Sequence, residues 1–510
     1  MKPKTTITLL LFLGFFINSY SQLTDAEKTL SEIRNEGFKN SEAMKMLSQL
    51  TDIYGQRLTG SREYFKAANW VSDEMKKVGL QNVRFENYCS DCRGWSLKSF
   101  NVEMTAPNYM QISAYPSVMS KSTDGIVSGE IISIENFSDM TTLKKEWSGK
   151  LKGKIILLGK EPQKKSLLDT IEFRYSDKKL KQLEQQVIAK VKTIPLPELL
   201  EKWEVEDRSN ESYLKFMEEE GALAILDAQS AYLGILHPEE MYYYRDNHIK
   251  LLPYFTIKSE HFGRLYRMAK LSTTATVRIN LETEFYSEPK NNVNIIGEIE
   301  GNDAKLKSES ILLGAHFDSW HAATGATDNG ANCIVLIEAL RILKQVGYAP
   351  KRTIKIGLWG GEEQAYLGSV AYAKKHFGAL DEKPNTASKK VSAYLNLDNG
   401  AGLINGIYLQ NNELARPIFE KIFDPISNIS EGALHIDNTI STDHETFDYY
   451  NIPSFQFLQD DLAYRTVTHH TNLDFLEYVH EDDTMKNAVI LAWTIYTLDN
   501  MKEKIPRKNK

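Results

Sequence analysis

The chain has 510 residues, of which 42% are hydrophobic and 25% charged, and its formal net charge is −7. This composition is typical of a soluble globular protein with enough chain for two or three domains. The weak net charge and the lack of a long basic block argue against nucleic acid as a partner.

Residues 1–21 have the pattern of a secretory signal peptide. Two lysines precede an apolar run at about residues 7–17, and Ser19 and Ser21 are small residues suited to a cleavage point. The run is shorter than the roughly 20 apolar residues that a membrane span needs. We therefore expect export to the periplasm or the cell exterior, without a membrane anchor after cleavage.

The three cysteines predict one local disulfide. Cys89 and Cys92 form a C-x-x-C in a polar loop, and in an exported protein this spacing favours a disulfide. Neither a thioredoxin-like pattern nor a second pair of zinc ligands lies nearby. Cys333 falls in an apolar helix and is expected to be a buried small hydrophobe.

The chain after the signal peptide divides into three predicted parts. Residues 22–120 begin with two amphipathic helices, the second closed by Gly79, and continue with short β-like runs. Residues 121–285 read as strands separated by turns and form a predicted β-rich insert. Within it, residues 166–220 are charged and mostly helical, and we assign them no chemistry.

Strands alternate with helices through residues 286–510. This alternation predicts an α/β domain whose central sheet is mainly parallel and carries helices on both faces. One apolar strand, at 311–313, leads into a loop with His316, Asp318 and Asp328, and a helix follows at 331–346. Loops at the carboxyl ends of such strands are where open α/β sheets build their sites.

Two later strands also end in acidic loops. Glu362 and Glu363 follow a pair of glycines, and Asp398 follows the next strand. Adjacent carboxylates repel one another, although acidic residues also begin helices for ordinary reasons. A histidine at 469 or 470 completes a set of nitrogen and oxygen ligands without thiolate, which suits zinc, with manganese or cobalt as substitutes. One bridging carboxylate would hold two ions about 3.5–4 Å apart.

Six separated motifs give this region a family resemblance. In chain order they are GAHFDSWH, GATDNGAN, WGGEEQAYLGS, NLDN, STDH and HHTNLD. They resemble the motifs of the M28 metallopeptidases, which are co-catalytic zinc exopeptidases. The resemblance covers roughly residues 40–120 and 286–500, and the insert resembles a protease-associated domain. It implies a zinc exopeptidase-like fold, two Zn²⁺ ions and a peptide substrate.

The resemblance also implies roles for individual residues. His316 and Asp398 would hold one zinc, Glu363 and His470 the other, and Asp328 would bridge them. His470 is preferred over His469 because it precedes a threonine, as in the family motif, but the doublet leaves both open. Two further residues would be catalytic: Glu362 as the general base, and Asp318 as the group that fixes the tautomer of His316. Asp443 and His444 would have a supporting role.

The resemblance does not decide which end of the peptide substrate the enzyme recognises. We expect an aminopeptidase, and the alternative is a carboxypeptidase or dipeptidase of the plasma glutamate carboxypeptidase type. The second would need a cationic clamp for a free carboxylate, for which Arg465 is a candidate, although a surface salt bridge would also explain it. A non-catalytic receptor-like ectodomain and a glutaminyl cyclase are lesser alternatives, and a homodimer is one possible assembly.

Overall fold

The computed structural model describes residues 24–162, 173–228, 234–238, 240 and 244–508. The predicted signal peptide lies outside these residues. Among the helices that the structure describes, none combines the length and apolar character that crossing a membrane requires.

The described residues form two mixed β-sheets and a set of α-helices. The strands are β1 (Gln81–Asn87), β2 (Gly94–Ala106), β3 (Met110–Gln111), β4 (Ala114–Pro116), β5 (Val127–Ile134), β6 (Lys154–Leu158), β7 (Ala224–Asp227), β8 (Tyr254–Ile257), β9 (Thr276–Tyr286), β10 (Val293–Ile299), β11 (Ser310–His316), β12 (Thr353–Trp359), β13 (Val391–Asn396), β14 (Ile404–Tyr408), β15 (Ala433–His435) and β16 (Ser454–Gln459). The helices are α1 (Asp25–Lys39), α2 (Ala43–Ser48), α3 (Arg62–Val78), α4 (Met140–Trp147), α5 (Asp177–Glu184), α6 (Leu196–Glu219), α7 (Ser259–Lys270), α8 (Ala331–Gln345), α9 (Leu367–Phe377), α10 (Arg416–Phe423), α11 (His444–Tyr449) and α12 (Glu481–Asn500).

The first sheet has the strand order β1-β10-β12-β11-β13-β16-β14-β15. Its centre, β12-β11-β13-β16, is parallel, as the alternation of strands and helices predicts. The pairings β1-β10, β10-β12 and β14-β16 are antiparallel. The α/β class is therefore confirmed, with a sheet more mixed than predicted, because hydrophobic patterning identifies buried strands but does not give their direction.

Helices cover both faces of this sheet. On one face, α8 and α12 pack together with α1 and α3 over side chains such as Leu313 and Ile356. On the other face, aromatic residues of α9 and α11 pack on Trp359 and Tyr394. Helix α12 has buried residues all round it and therefore lacks the amphipathic stripe by which a helix is predicted from sequence.

The second sheet has the order β3-β2-β9-β5-β6-β7-β8-β4. Three of its strands, β2, β3 and β4, precede residue 121. They belong to this sheet because the long β2 pairs with β9 across almost its whole length. The predicted boundary at residue 121 thus falls within a continuous sheet, and the division into domains stays a prediction. The disulfide between Cys89 and Cys92, in the connection from β1 to β2, is present as expected, and Cys333 is buried.

Candidate metal centre

Neighbouring parallel strands deliver the predicted site residues to one edge of the first sheet. His316 is the last residue of β11, Glu362 and Glu363 follow β12, and Asp398 follows β13. Because these three strands are adjacent and parallel, their carboxyl ends meet. His470 arrives in the loop after β16, the next strand of the sheet.

The five residues predicted as ligands form two triads that share Asp328. In the first, Nε2 of His316 lies 3.1 Å from Oδ1 of Asp328 and 3.1 Å from Oδ1 of Asp398. In the second, Nε2 of His470 lies 3.0 Å from Oε2 of Glu363 and 3.2 Å from Oδ2 of Asp328. Asp328 therefore directs one carboxylate oxygen toward each triad, as a bridging ligand would.

The main chain around Asp328 is fixed by buried polar groups. Its own N–H donates to Oδ2 of Asp474 at 3.0 Å, and the N–H of Thr327 donates to Oδ1 of Asp474 at 2.6 Å. Buried Arg57 donates to the carbonyl oxygens of Thr324 and Gly325, both at 2.8 Å. The Asp328 carboxylate is thus held in place by contacts that do not involve its own oxygens.

A backbone carbonyl sets the tautomer of His316. Nδ1 lies 3.0 Å from the carbonyl oxygen of Asp318, and since a carbonyl only accepts, Nδ1 carries the hydrogen. The carboxylate of Asp318 is farther away, with Oδ1 3.8 Å from Nδ1. The expected hydrogen bond between Asp318 and His316 is therefore made by the main-chain carbonyl of Asp318 and not by its carboxylate, a difference that sequence spacing does not reveal.

The Asp318 carboxylate instead holds the loop that carries the paired glutamates. Its two oxygens accept from the N–H groups of Glu362 and Glu363, both at 3.2 Å, and from the hydroxyl of Thr59 at 3.0 Å. Asp318 is fully buried. Its effect on the site is therefore to position the two glutamates.

Glycine is favoured at both positions before this loop, Gly360 and Gly361, for two separate steric reasons. At Gly360, a Cβ would come within 2.3 Å of the Tyr64 hydroxyl oxygen. Gly361 has a φ of +67°, in the left-handed region that favours glycine. Both features allow the chain to turn sharply after β12 and to present Glu362 and Glu363 to the site.

The electrostatics of the cluster fit bound cations. Burial raises the pKa of Glu362 well above its usual value and that of Glu363 to about 7, although His316 and His470 oppose these shifts. Oε1 of Glu363 is buried without a hydrogen-bond partner among the described residues. Burial opposes a charge on His316, but Asp398 and Asp328, whose oxygens lie 3.1 Å from Nε2, raise its pKa well above the usual value. Divalent cations would take the place of the protons that this cluster otherwise holds, and the nitrogen and oxygen set suits zinc.

The two histidines of the doublet, His469 and His470, make different contacts. Nε2 of His470 faces Glu363 and Asp328, while its Nδ1 pairs with the carboxylate of Glu240. His469 stacks on His470 with ring centroids 3.7 Å apart, and burial lowers the pKa of His469 to about 3. These contacts favour His470 as the ligand.

Three other predicted residues lie near the cluster with different contacts. Burial raises the pKa of Asp443 to about 8. A negative charge on Asp443 in turn raises the pKa of Glu362. His444 turns away from the site, with Nε2 3.0 Å from the carbonyl oxygen of Thr439. Arg465 lines the cavity, as a clamp for a substrate carboxylate would. It also lies 3.5 Å from Asp461, as expected for a salt bridge.

Several residues of the site were missed by the sequence analysis. Arg57 lies in the segment YGQRLTGS, which patterning identifies only as a loop, and nothing in the sequence shows that the arginine is buried. Glu240 and Trp203 lie in the insert, far from the ligand motifs. Asp474 is the last residue of the HHTNLD motif, and this place beside the histidine doublet was a usable signal for a role at the site.

The cluster opens into a cavity of about 510 Å³. The lining residues are Trp203, Glu240, His316, Asp328, Glu362, Glu363, Ala365, Tyr366, Asp398, Asn399, Thr439, Ile440, Ser441, Tyr464, Arg465, His469 and His470. This volume lies within the range of roughly 300–1,000 Å³ that holds small-molecule ligands. An α/β sheet that ends in a buried nitrogen and oxygen cluster beside such a cavity is typical of a metal-dependent hydrolase.

Comparison with known proteins identifies the family. Residues 294–494 match the profile of Peptidase family M28, and this part of the chain is an M28 zinc metallopeptidase domain. Among curated relatives, human Carboxypeptidase Q is 24% identical over 95% of this chain and 90% of its own length, and the mouse protein of that name is 23% identical over 95% and 91%.

Solved structures share the fold over nearly the whole chain. A peptidase M28 precursor from Shewanella amazonensis has a TM-score of 0.67 and 22% identity, and covers 95% of this chain and 99% of its own. BSAP, a zinc aminopeptidase from Bacillus subtilis, has a TM-score of 0.56 and 18% identity over 89% and 93%. At these identities the similarity concerns the fold.

Proposed function

We propose that this protein is an exopeptidase that uses two zinc ions to hydrolyse peptide bonds at chain ends. The observation that carries the proposal is the pair of triads that share Asp328. His316 and Asp398 would hold one ion, and Glu363 and His470 the other. Together with the M28 domain, this arrangement supports a site built for hydrolysis.

The chain's own residues account for the proton transfers. When bound, the ions would polarise the scissile carbonyl and acidify a water molecule. Glu362 lines the cavity beside both triads, where a carboxylate can take a proton from the attacking water and deliver it to the leaving amine. Asp318 keeps Glu362 in place through the main chain.

We further propose that the substrate's free carboxylate, rather than its amino group, is recognised. Curated relatives that match almost the full chain are named Carboxypeptidase Q. Among the described residues that line the cavity, Arg465 is the one arginine or lysine, and a guanidinium is well suited to a carboxylate. This reverses the preference of the sequence analysis for an aminopeptidase, which stays the second candidate.

One assay distinguishes the two substrate ends. A short peptide is prepared free at both ends, N-acetylated and C-amidated, and cleavage is followed with a chelator, without it and with added zinc. We expect amidation to abolish chelator-sensitive cleavage and acetylation to leave it. The opposite pattern would establish an aminopeptidase, and absence of cleavage with every metal would favour the receptor-like alternative.

Export through residues 1–21 and assembly as a homodimer stay proposals. Amino-terminal sequencing of the protein secreted by its host tests the first, with cleavage after Ser21 as the expected result. Light scattering of the purified chain tests the second through its mass in solution.

A further inference from the structure

The charged helical segment, residues 173–219, is fixed beside the proposed catalytic cavity. Near its start, Arg174 donates to Asp460 at 2.9 Å and to Asp483 at 2.8 Å, which ties it to the first sheet and to α12. Next, Leu180 of α5 packs against Ala433 and Leu458. The segment therefore lies against the peptidase sheet instead of extending into solvent.

The connection between α5 and α6 is tied to the rim of the cavity. The N–H groups of Lys190 and Val191 donate to Oδ1 of Asp437 at 2.7 and 2.8 Å. Asn438 donates from its side chain to the carbonyl oxygen of Val191 at 2.7 Å. Because Thr439 and the residues after it line the cavity, the connection and the rim are joined directly.

Helix α6 is anchored in two different cores. At its start, Leu196 is buried against Tyr366 and Val370 of the peptidase domain. Near its end, Leu214 and Met217 are buried in a core of the second sheet. A helix of this length spans about 36 Å, so α6 bridges the two sheets and is held at both ends.

Trp203 is the residue of α6 that lines the cavity. Its ring meets that of Tyr366 edge to face, with centroids 5.2 Å apart. Tyr366 is itself held, because its N–H donates to the Glu362 carbonyl oxygen and its hydroxyl donates to Glu445, both at 3.0 Å. Trp203 therefore sits at a fixed place relative to the loop that carries the proposed base.

We infer that α6, through Trp203, closes the substrate cleft beyond the reacting bond and restricts the enzyme to short peptides. This inference rests on the proposed function and specifies its substrate class. A bulky ring held by a helix with two anchors leaves an extended chain no path along this wall. We expect a dipeptide or tripeptide to fit in the cavity of about 510 Å³ without reaching past Trp203.

The test is a ladder of one peptide sequence extended from two to six residues, with kcat and KM measured at each length. The variants are Trp203→Ala, Trp203→Phe as the conservative change, and Val205→Ala as the matched control. Val205 is 60% exposed on the same helix and does not line the cavity. Thermal unfolding verifies that each variant is folded. If Trp203→Ala is not folded, Trp203→Leu replaces it in the assay.

We expect wild type to cleave the hexapeptide much less efficiently than the dipeptide. Trp203→Ala should raise the hexapeptide-to-dipeptide ratio of kcat/KM by about tenfold, mainly through KM, as for removal of a steric contact in a specificity pocket. Trp203→Phe and Val205→Ala should leave the ratio close to wild type. An unchanged ratio in Trp203→Ala, or an equal change in Val205→Ala, would overturn the inference.

A binding measurement separates this inference from the proposed function. Calorimetric titration of the same peptides into Glu362→Gln and into Glu362→Gln with Trp203→Ala reports affinity without turnover. One outcome would overturn the proposed function and leave the role of α6 intact. In it, wild type cleaves none of the peptides, and the dipeptide binds more tightly than the hexapeptide only in the protein that retains Trp203. Equal affinities at all lengths in both proteins would overturn the role of α6.

Discussion

The two sheets of this protein contain the same structural unit and use it differently. Each has four adjacent parallel strands, β12-β11-β13-β16 in the first and β5-β6-β7-β8 in the second. In the first sheet, the carboxyl ends of these strands lead to a buried cluster of histidines and acids. Among the described residues, no group of three candidate ligands lies at the corresponding ends of the second sheet.

The difference lies in how buried acids are partnered. At the end of β7, the carboxylate of Asp227 accepts from the Tyr254 hydroxyl at 2.9 Å, an ordinary pairing of a buried acid. At the first sheet, Asp328, Glu362, Glu363 and Asp398 face one another and two imidazoles. A parallel sheet supplies the place for a site, and the group of acids around His316 and His470 supplies the chemistry.

The largest effect is expected from Asp328→Ala, because it removes a proposed ligand from both triads. Zinc content should fall below one ion per chain, and kcat/KM should fall on the order of a thousandfold or more, since the ions contribute several kcal/mol to transition-state stabilisation. Elemental analysis and peptide cleavage measure the two quantities. The matched control is Asp227→Asn at the second sheet, which should keep both zinc and activity, and equal losses in the two variants would contradict the comparison.

Glu362→Gln should separate catalysis from metal binding. The amide retains the size of the side chain and cannot take up a proton, so turnover should fall by roughly 10²–10⁴-fold, while zinc content stays at the wild-type value. Peptide hydrolysis at near the wild-type rate would show that another group is the base.

Glu240→Gln should have a smaller effect, on affinity for one ion. The Glu240 carboxylate pairs with Nδ1 of His470, and loss of such a partner commonly weakens metal binding about 10–100-fold. Competition with a zinc chelator should reveal weakening of one of two sites. Glu413→Gln, an exposed change on the peptidase surface, serves as the control, and unaltered zinc affinity in Glu240→Gln would exclude this positioning role.

The smallest effect concerns a buried acid of the first sheet that has cationic partners. Burial alone would raise the pKa of Glu86, but hydrogen bonds from His376, Lys375 and Arg84 lower it to about 2. A lowered folded-state pKa adds stability above the unfolded value of 4.5 that is lost as the pH falls toward 2.

Wild type should therefore exceed Glu86→Gln by about 1–2 kcal/mol in the free energy of unfolding near neutral pH, since exposed cationic partners weaken the pairing. The difference should shrink as the pH falls from about 5 to 3. Urea unfolding at several pH values measures it. A constant difference would mean that the Glu86 carboxylate does not titrate as its partners imply.

The sequence was sufficient to predict the α/β class, the central parallel strands and the residues of the two triads. The reason is that a proposed ligand such as His316 lies in a short motif directly after an apolar run. It was insufficient where partners are distant along the chain. The pairing of β2 with β9, the burial of Arg57 and the contact of Glu240 with His470 depend on the tertiary fold, and no local pattern records them.

The most direct test of the account is a zinc titration of the chelator-stripped protein, with cleavage of a dipeptide and the melting temperature followed together. We expect uptake of two ions per chain, with activity restored and the melting temperature raised, because an ion that binds only the folded chain stabilises it. Cleavage that persists in the stripped protein, or a folded chain that takes up no zinc, would contradict the assignment of the two triads as the metal centre.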